Sequence, residues 1–276
     1  MFLSSIVLLS LSSAAQARCD LSHYITYKSF YTAMYECGQY FEICNNTLDQ
    51  YIYNGYPSTP EVMRLIHCAC VNTGAWNDNT GVRKNVFQFL FKPNEHDTEY
   101  EDRTQCCLDK ICKDGYDQNY LAYETFSCYY QQYGRLVKNE VFVPLEELEF
   151  FQLMTFIAKI LLVSKEKLIQ FSQGDFLNDP VFKQALYITA IRQGSYSLEK
   201  GFIMEVGYAQ YNIPELFAPC TRQCVIDASA EYSQLPVDDL VYKVYKKCLH
   251  SLVDPILVGY FKAILREKAC GMLTSY

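Results

Sequence analysis

No stretch of the chain reads as a membrane span. The fullest apolar run, Phe150 to Val163, carries Gln152 and Lys159 and falls short of the roughly twenty residues a spanning helix needs. Positive charge is also scarce, with 24 Lys and Arg against 31 Asp and Glu and a net charge of −7. Phosphate backbones require the opposite balance, so no nucleic acid is expected as a partner.

Catalytic signatures are missing as well. The four histidines, His23, His67, His96 and His250, stand in no context that would activate a Ser or Cys nucleophile. There is no G-x-S-x-G elbow, H-E-x-x-H pair, phosphate-cradling glycine loop or dinucleotide fingerprint, so no cofactor is called for. A secreted hydrolase with a dispersed active site is the second reading. The chain also shows no repeat or low-complexity tract, which weighs against a third reading, an extracellular matrix component cross-linked through its 24 tyrosines.

What is present points outside the cytosol. Phe2 to Leu11 is apolar, and Ala15-Gln16-Ala17 matches a signal-peptidase site, so residues 1–17 are expected to be a secretory signal and the product secreted and extracellular. All 13 cysteines follow that point, and in an oxidising compartment they predict a disulfide framework. The number is odd. At least one thiol is left over, either buried or joined to a second chain in a disulfide-linked dimer. Asn45-Asn46-Thr47 offers Asn45 as an N-glycosylation acceptor.

The cysteines divide the chain. Residues 18–140 hold Cys19 and the disulfide candidates Cys37, Cys44, Cys68, Cys70, Cys106, Cys107, Cys112 and Cys128, whereas no cysteine occurs between Cys128 and Cys220. We therefore expect a cysteine-rich, mainly helical region followed by a helical bundle over 141–276 that is held by packing, with one continuous body as the alternative. His67-Cys68-Ala69-Cys70 has zinc-like residue types, but its compartment and the lack of a second His-bearing pair favour disulfides. The acidic loop Asn94–Asp102 lacks the glycine and closing glutamate of a twelve-residue calcium loop, so no metal site is expected.

Periodicity fills in the elements. Tyr24, Tyr27, Tyr31 and Tyr35 recur at helical steps within Leu21–Tyr53, which would place Cys37 and Cys44 on one helix face. Pro144 to Phe171 reads as one buried central helix, with Glu146, Glu147 and Glu149 at its start and Lys165 and Lys167 toward its end. Further helices are expected from Asp179-Pro180-Val181, read as cap plus first turn, to about Gly194, and over 198–211, 219–234, 236–252 and 254–271. If 219–234 and 236–252 fold back as a hairpin, Cys224 faces Cys248, while Cys220 and Cys270 are left to reach the cysteine-rich region.

The expectation is a mainly α protein: a disulfide-rich helical region, then a bundle around a buried central helix. Its tyrosines and missing motifs favour binding, either of an extracellular protein or of a small apolar ligand between helices.

Overall fold

Capping side chains set where many of the helices begin. The computed structural model describes residues 25–112 and 117–269. Strand β1 (Thr26–Lys28) leads into α1 (Phe30–Tyr40), whose cap Ser29 accepts from the Thr32 amide, and α2 (Asn45–Tyr53) follows. Thr59 caps α3 (Pro60–Asn72), where Pro60 suits the first helical position because its missing N–H would be unsatisfied there anyway. A hairpin of β2 (Trp76–Asn77) and β3 (Gly81–Val82) precedes α4 (Lys84–Leu90), β4 (Phe91–Lys92), α5 (Tyr100–Leu108) and α6 (Gln118–Cys128). A π-helical turn, Tyr129–Tyr133, ends this half. Next, β5 (Arg135–Leu136) pairs with β4, and β6 (Val141–Val143) returns to pair with β1.

The second half runs α7 (Glu147–Ile160), α8 (Lys165–Ser172), α9 (Pro180–Arg192), a hairpin of β7 (Tyr196–Ser197) and β8 (Gly201–Phe202), and α10 (Met204–Tyr211). A 3-10 turn at Pro214–Phe217 then precedes α11 (Pro219–Glu231), α12 (Val237–Val244), a second π-helical turn Tyr245–Leu249 and α13 (His250–Ala269). The protein is mainly α-helical and disulfide-bonded, as its sequence predicts. One buried cluster draws on residues 30–136 and a second on 145–264, each rich in fully buried Phe.

The two halves repeat one fold. This corrects the expectation of a chain without repeats. α2 and α8, α3 and α9, the two hairpins, and α4 and α10 all start 120 residues apart, as Asn45 to Lys165 and Pro60 to Pro180 show. At that offset Leu48 matches Leu168, Gly74 matches Gly194, Gly81 matches Gly201 and Val86 matches Val206. The glycines mark shared backbone geometry: all four have positive φ, two just after a helix and two in hairpin turns, where a side chain would be strained. Arg83 N donates to Ala75 O at 2.9 Å, and Ile203 N donates to Ser195 O at 2.9 Å, one bond in two copies.

The cross-links follow the repeat in part. Cys107–Cys128 ties α5 to the end of α6, and Cys224–Cys248 ties α11 to the second π turn. Cys37–Cys68 ties α1 to α3. Its matched positions are Ile157 and Ile188, so the second half puts apolar side chains where the first has a covalent link. The halves meet through the β1–β6 pair, the matched helices α4 and α10, and Asn85 Nδ2, which donates to Ala209 O at 2.6 Å.

Several expectations fail for local reasons. The central segment is two helices, because Leu162 turns left-handed at φ 50°, Val163 N returns to Ala158 O, and Ser164 caps α8 by accepting from Lys167 N. Nor is α7 enclosed: Leu148, Phe156 and Ile160 lie exposed along it. The described part of Leu21–Tyr53 breaks into β1, α1 and α2, and 198–211 into the end of a hairpin and α10. The acidic loop ends early, since Tyr100 begins α5 and Arg103 reaches back to Asp97. Asp254-Pro255 does not interrupt the helix that runs from Val237 to Glu267. By length and composition this helix could cross a membrane, contrary to expectation, with a mean hydropathy of 1.4. In this fold one of its faces, from Val241 through Val253 to Ile264, is buried in the second core. That packing outweighs the amide hydrogen bond lost at Pro255.

The remaining disulfide candidates carry free thiols. Cys44 sits at the N-cap of α2, off the α1 face, with its sulfur 3.1 Å from Thr47 Oγ1; Cys106, Cys112 and Cys220 are exposed. Cys70 points into the core, where burial pushes its thiol well above the ordinary range. Cys270 and the 1–17 segment lie outside the described residues. Asn45 is exposed on the first turn of α2.

Candidate functional site

The second half encloses an apolar cavity. α9 supplies Phe182, Ala185, Leu186 and Thr189, because side chains three and four apart share a helix face. The long C-terminal helix supplies Val241, Tyr245, Leu249, Val253, Leu257 and Phe261 with the same period. Met154 of α7 closes one side, while Phe202, Ile203, Met204 and Gly207 form the partly accessible side. None of the lining side chains carries a charge, so an ion entering here would lose its hydration without a partner.

The free space is about 70 Å³. That is about half of an engineered apolar cavity that admits benzene, so a larger guest must move side chains. Unbranched, flexible Met154 and Met204 are suited to this. Other hollows are larger. The one of about 720 Å³ beside Asn77, Glu146 and Tyr260 is more open to water and carries carboxylates on its wall, which makes it a weaker enclosure for an apolar guest.

One end of the cavity is polar. Tyr211 Oη donates to Gln193 Oε1 at 2.7 Å, Gln193 Nε2 donates to Ser195 Oγ at 2.8 Å, and Ser195 Oγ donates to Ala190 O at 3.3 Å. This chain leaves one Gln193 N–H and a lone pair on Tyr211 Oη for a guest. Burial holds the Tyr211 hydroxyl far above the ordinary tyrosine range, so it stays protonated. Thr189 spends its proton on Ala185 O at 2.7 Å. Tyr245 donates to Asp254; burial first, and then this carboxylate, keep the phenol neutral.

The opening depends on a missing side chain. Gly207 lies inside α10, where glycine costs about 1 kcal/mol against alanine. Its φ is not positive, so the backbone does not require glycine there. A Cβ at that position would meet Leu216 Cδ1 at 3.8 Å, an ordinary contact, and a longer side chain would enter the cavity.

Among the described residues, the histidines considered from sequence stand outside the cavity lining. His67 Nε2 lies 2.7 Å from Asp78 and His250 Nδ1 lies 3.4 Å from Asp254. Among the described residues, no group of three or more His, Cys, Asp or Glu is placed to hold a metal ion. Of the apolar stretch from Phe150 to Val163, only Met154 lines the cavity. The rest of the lining was not legible from composition, although the 120-residue offset would have drawn attention to Gly207.

Comparison with known proteins finds a similarity in the first half. Residues 26–132 match the model of the PBP/GOBP family. General odorant-binding protein 69 of Anopheles gambiae is 27% identical over 143 residues, which cover 48% of this chain and 62% of that protein. The chain thus spans less than two thirds of that relative's length. No solved structure matches it. The family match covers the first copy of the fold, whereas the cavity lies in the second.

Proposed function

We propose that this protein binds a small, neutral, apolar molecule in the cavity of its second half, and does so outside the cytosol. The observation that carries the reading is an enclosed site with no charged lining residue and a single hydrogen-bonding end at Gln193, Ser195 and Tyr211. Such a site favours an apolar body with one hydroxyl or carbonyl group. The name of the mosquito relative, an odorant-binding protein, accords with a small guest. The three disulfides among the described residues accord with an oxidising compartment, as does the signal-like segment 1–17.

The test is a fluorescence titration of the disulfide-intact protein with 1-aminoanthracene, followed by displacement with straight-chain alcohols. Each added methylene is expected to tighten binding about fourfold, from ~0.8 kcal/mol per buried CH₂, until the cavity is full. Absence of probe uptake by folded protein, or displacement as good by charged amines and carboxylates of the same length, would refute the reading.

A further inference from the structure

We infer that ligand binding is confined to the second repeat, because the first repeat is plugged by its own Phe87 at the position where the second has Gly207; each chain therefore takes up one guest, not two. This rests on the function proposed above and adds its stoichiometry and the residue that decides it.

The register is fixed independently of the cavity. α4 and α10 start at Lys84 and Met204, each directly after a hairpin closed by a matched pair, Trp76 with Val82 and Tyr196 with Phe202. Val86 and Val206 are identical and buried at the same place in their helices. The next residue is Phe87 in one copy and Gly207 in the other.

Phe87 has no exposed surface, and its ring centroid lies 4.7 Å from that of Tyr129. Tyr129 directly follows the disulfide-bonded Cys128 as its match at the 120-residue offset, Leu249, directly follows the disulfide-bonded Cys248, and Leu249 lines the cavity. Phe87 thus fills the space between α4 and the π turn. In the second repeat the corresponding space, between α10 and Leu249, is left open. A second exchange adds to the first: Leu65 of α3, wholly buried, stands where α9 has Ala185 on the cavity wall. Met34, the counterpart of the lining residue Met154, is also wholly buried. With Phe87, Leu65 and Met34 wholly buried there, the place that matches the second-repeat cavity is filled by side chains.

The experiment is isothermal titration of the full disulfide-intact chain with 1-aminoanthracene, comparing the unaltered protein with Gly207→Phe, Gly207→Leu and Gly207→Ala. One probe per chain is expected for the unaltered protein, with affinity falling in the order Gly207→Ala, Gly207→Leu, Gly207→Phe: at least tenfold weaker in Gly207→Leu and abolished in Gly207→Phe at unchanged helical circular dichroism. Gly207→Leu, the smaller intrusion, keeps the test decisive where Gly207→Phe does not fold. Two probes per chain in the unaltered protein, or undiminished binding in folded Gly207→Leu or Gly207→Phe, would overturn the inference while leaving the binding function intact. Failure of the unaltered protein to take up the probe would instead remove the function itself, and this inference with it.

Discussion

The Tyr211 hydroxyl donates a 2.7 Å hydrogen bond to Gln193 Oε1 at the polar end of an otherwise apolar cavity. Gln193→Leu keeps much of the volume but removes this end. A guest with a hydroxyl should then lose the worth of one hydrogen bond, about 1 kcal/mol or roughly fivefold in affinity. Displacement of 1-aminoanthracene by 1-octanol should weaken by that factor, with 1-chlorooctane little changed. Equal losses for both would mean that Gln193 does not contact the guest's polar group.

The repeat predicts a cross-link the protein does not have. Ile157 and Ile188 stand where the first copy carries Cys37–Cys68. The double variant Ile157→Cys/Ile188→Cys should form a disulfide on oxidative folding and gain up to about 4 kcal/mol from a loop of that length. Intact-mass measurement with and without a thiol reagent checks the bond, and urea unfolding checks the gain. Two alkylatable cysteines in the folded variant would show that the α7–α9 contact differs from α1–α3.

Removal of Cys224–Cys248 should cost about 3 kcal/mol by the same chain-entropy reasoning. Cys248 sits in the π turn between the lining residues Tyr245 and Leu249. A Cys224→Ala/Cys248→Ala variant should therefore lose probe affinity as well as stability. Stability lost with affinity fully retained would uncouple the turn from the site.

Asp179 caps α9 and pairs with Lys167. Burial alone would raise its carboxyl pKa, but the Lys167 ammonium and the Val181 amide hold it below the ordinary range. A carboxylate with a depressed folded-state pKa binds fewer protons than it does in the unfolded chain. Its contribution is therefore complete above the unfolded value of about 3.9 and drains away as pH falls through the lower folded value. Asp179→Ala should cost about 1–2 kcal/mol at pH 7 through the lost cap, and less at pH 2. Urea unfolding at the two pH values measures the difference, and an equal cost at both would contradict it.

Asn45 stands exposed on the first turn of α2 within Asn45-Asn46-Thr47. Protein secreted from eukaryotic cells is expected to lose mass on peptide-N-glycosidase treatment, and Asn45→Gln to remove that shift. An unchanged mass would rule out a glycan there.

Local grammar made much of this fold legible. Asp179-Pro180 marked a helix start, and hairpin geometry brought Cys224 level with Cys248, which the structure joins. The central helix was misread because its break depends on one left-handed residue, Leu162, whose side chain gives no warning. Pro255 misled in the opposite sense, since tertiary packing carries α13 through it. The repeat was hidden because matched core positions need only be apolar. Cys68 becomes Ile188 and Leu65 becomes Ala185 without disturbing the fold. The cavity is harder still to read, being the absence of volume at Gly207 and Ala185 rather than the presence of a motif.

Photolabelling tests the central claim most directly. Disulfide-intact protein would be irradiated with an octanol carrying a chain diazirine, then digested and mapped by mass spectrometry. Binding in the second repeat predicts labels on peptides containing Met154, Leu186 or Met204, competed away by unlabelled octanol. Competed labels on the peptides of Leu65 and Phe87, or none within the second repeat, would contradict it.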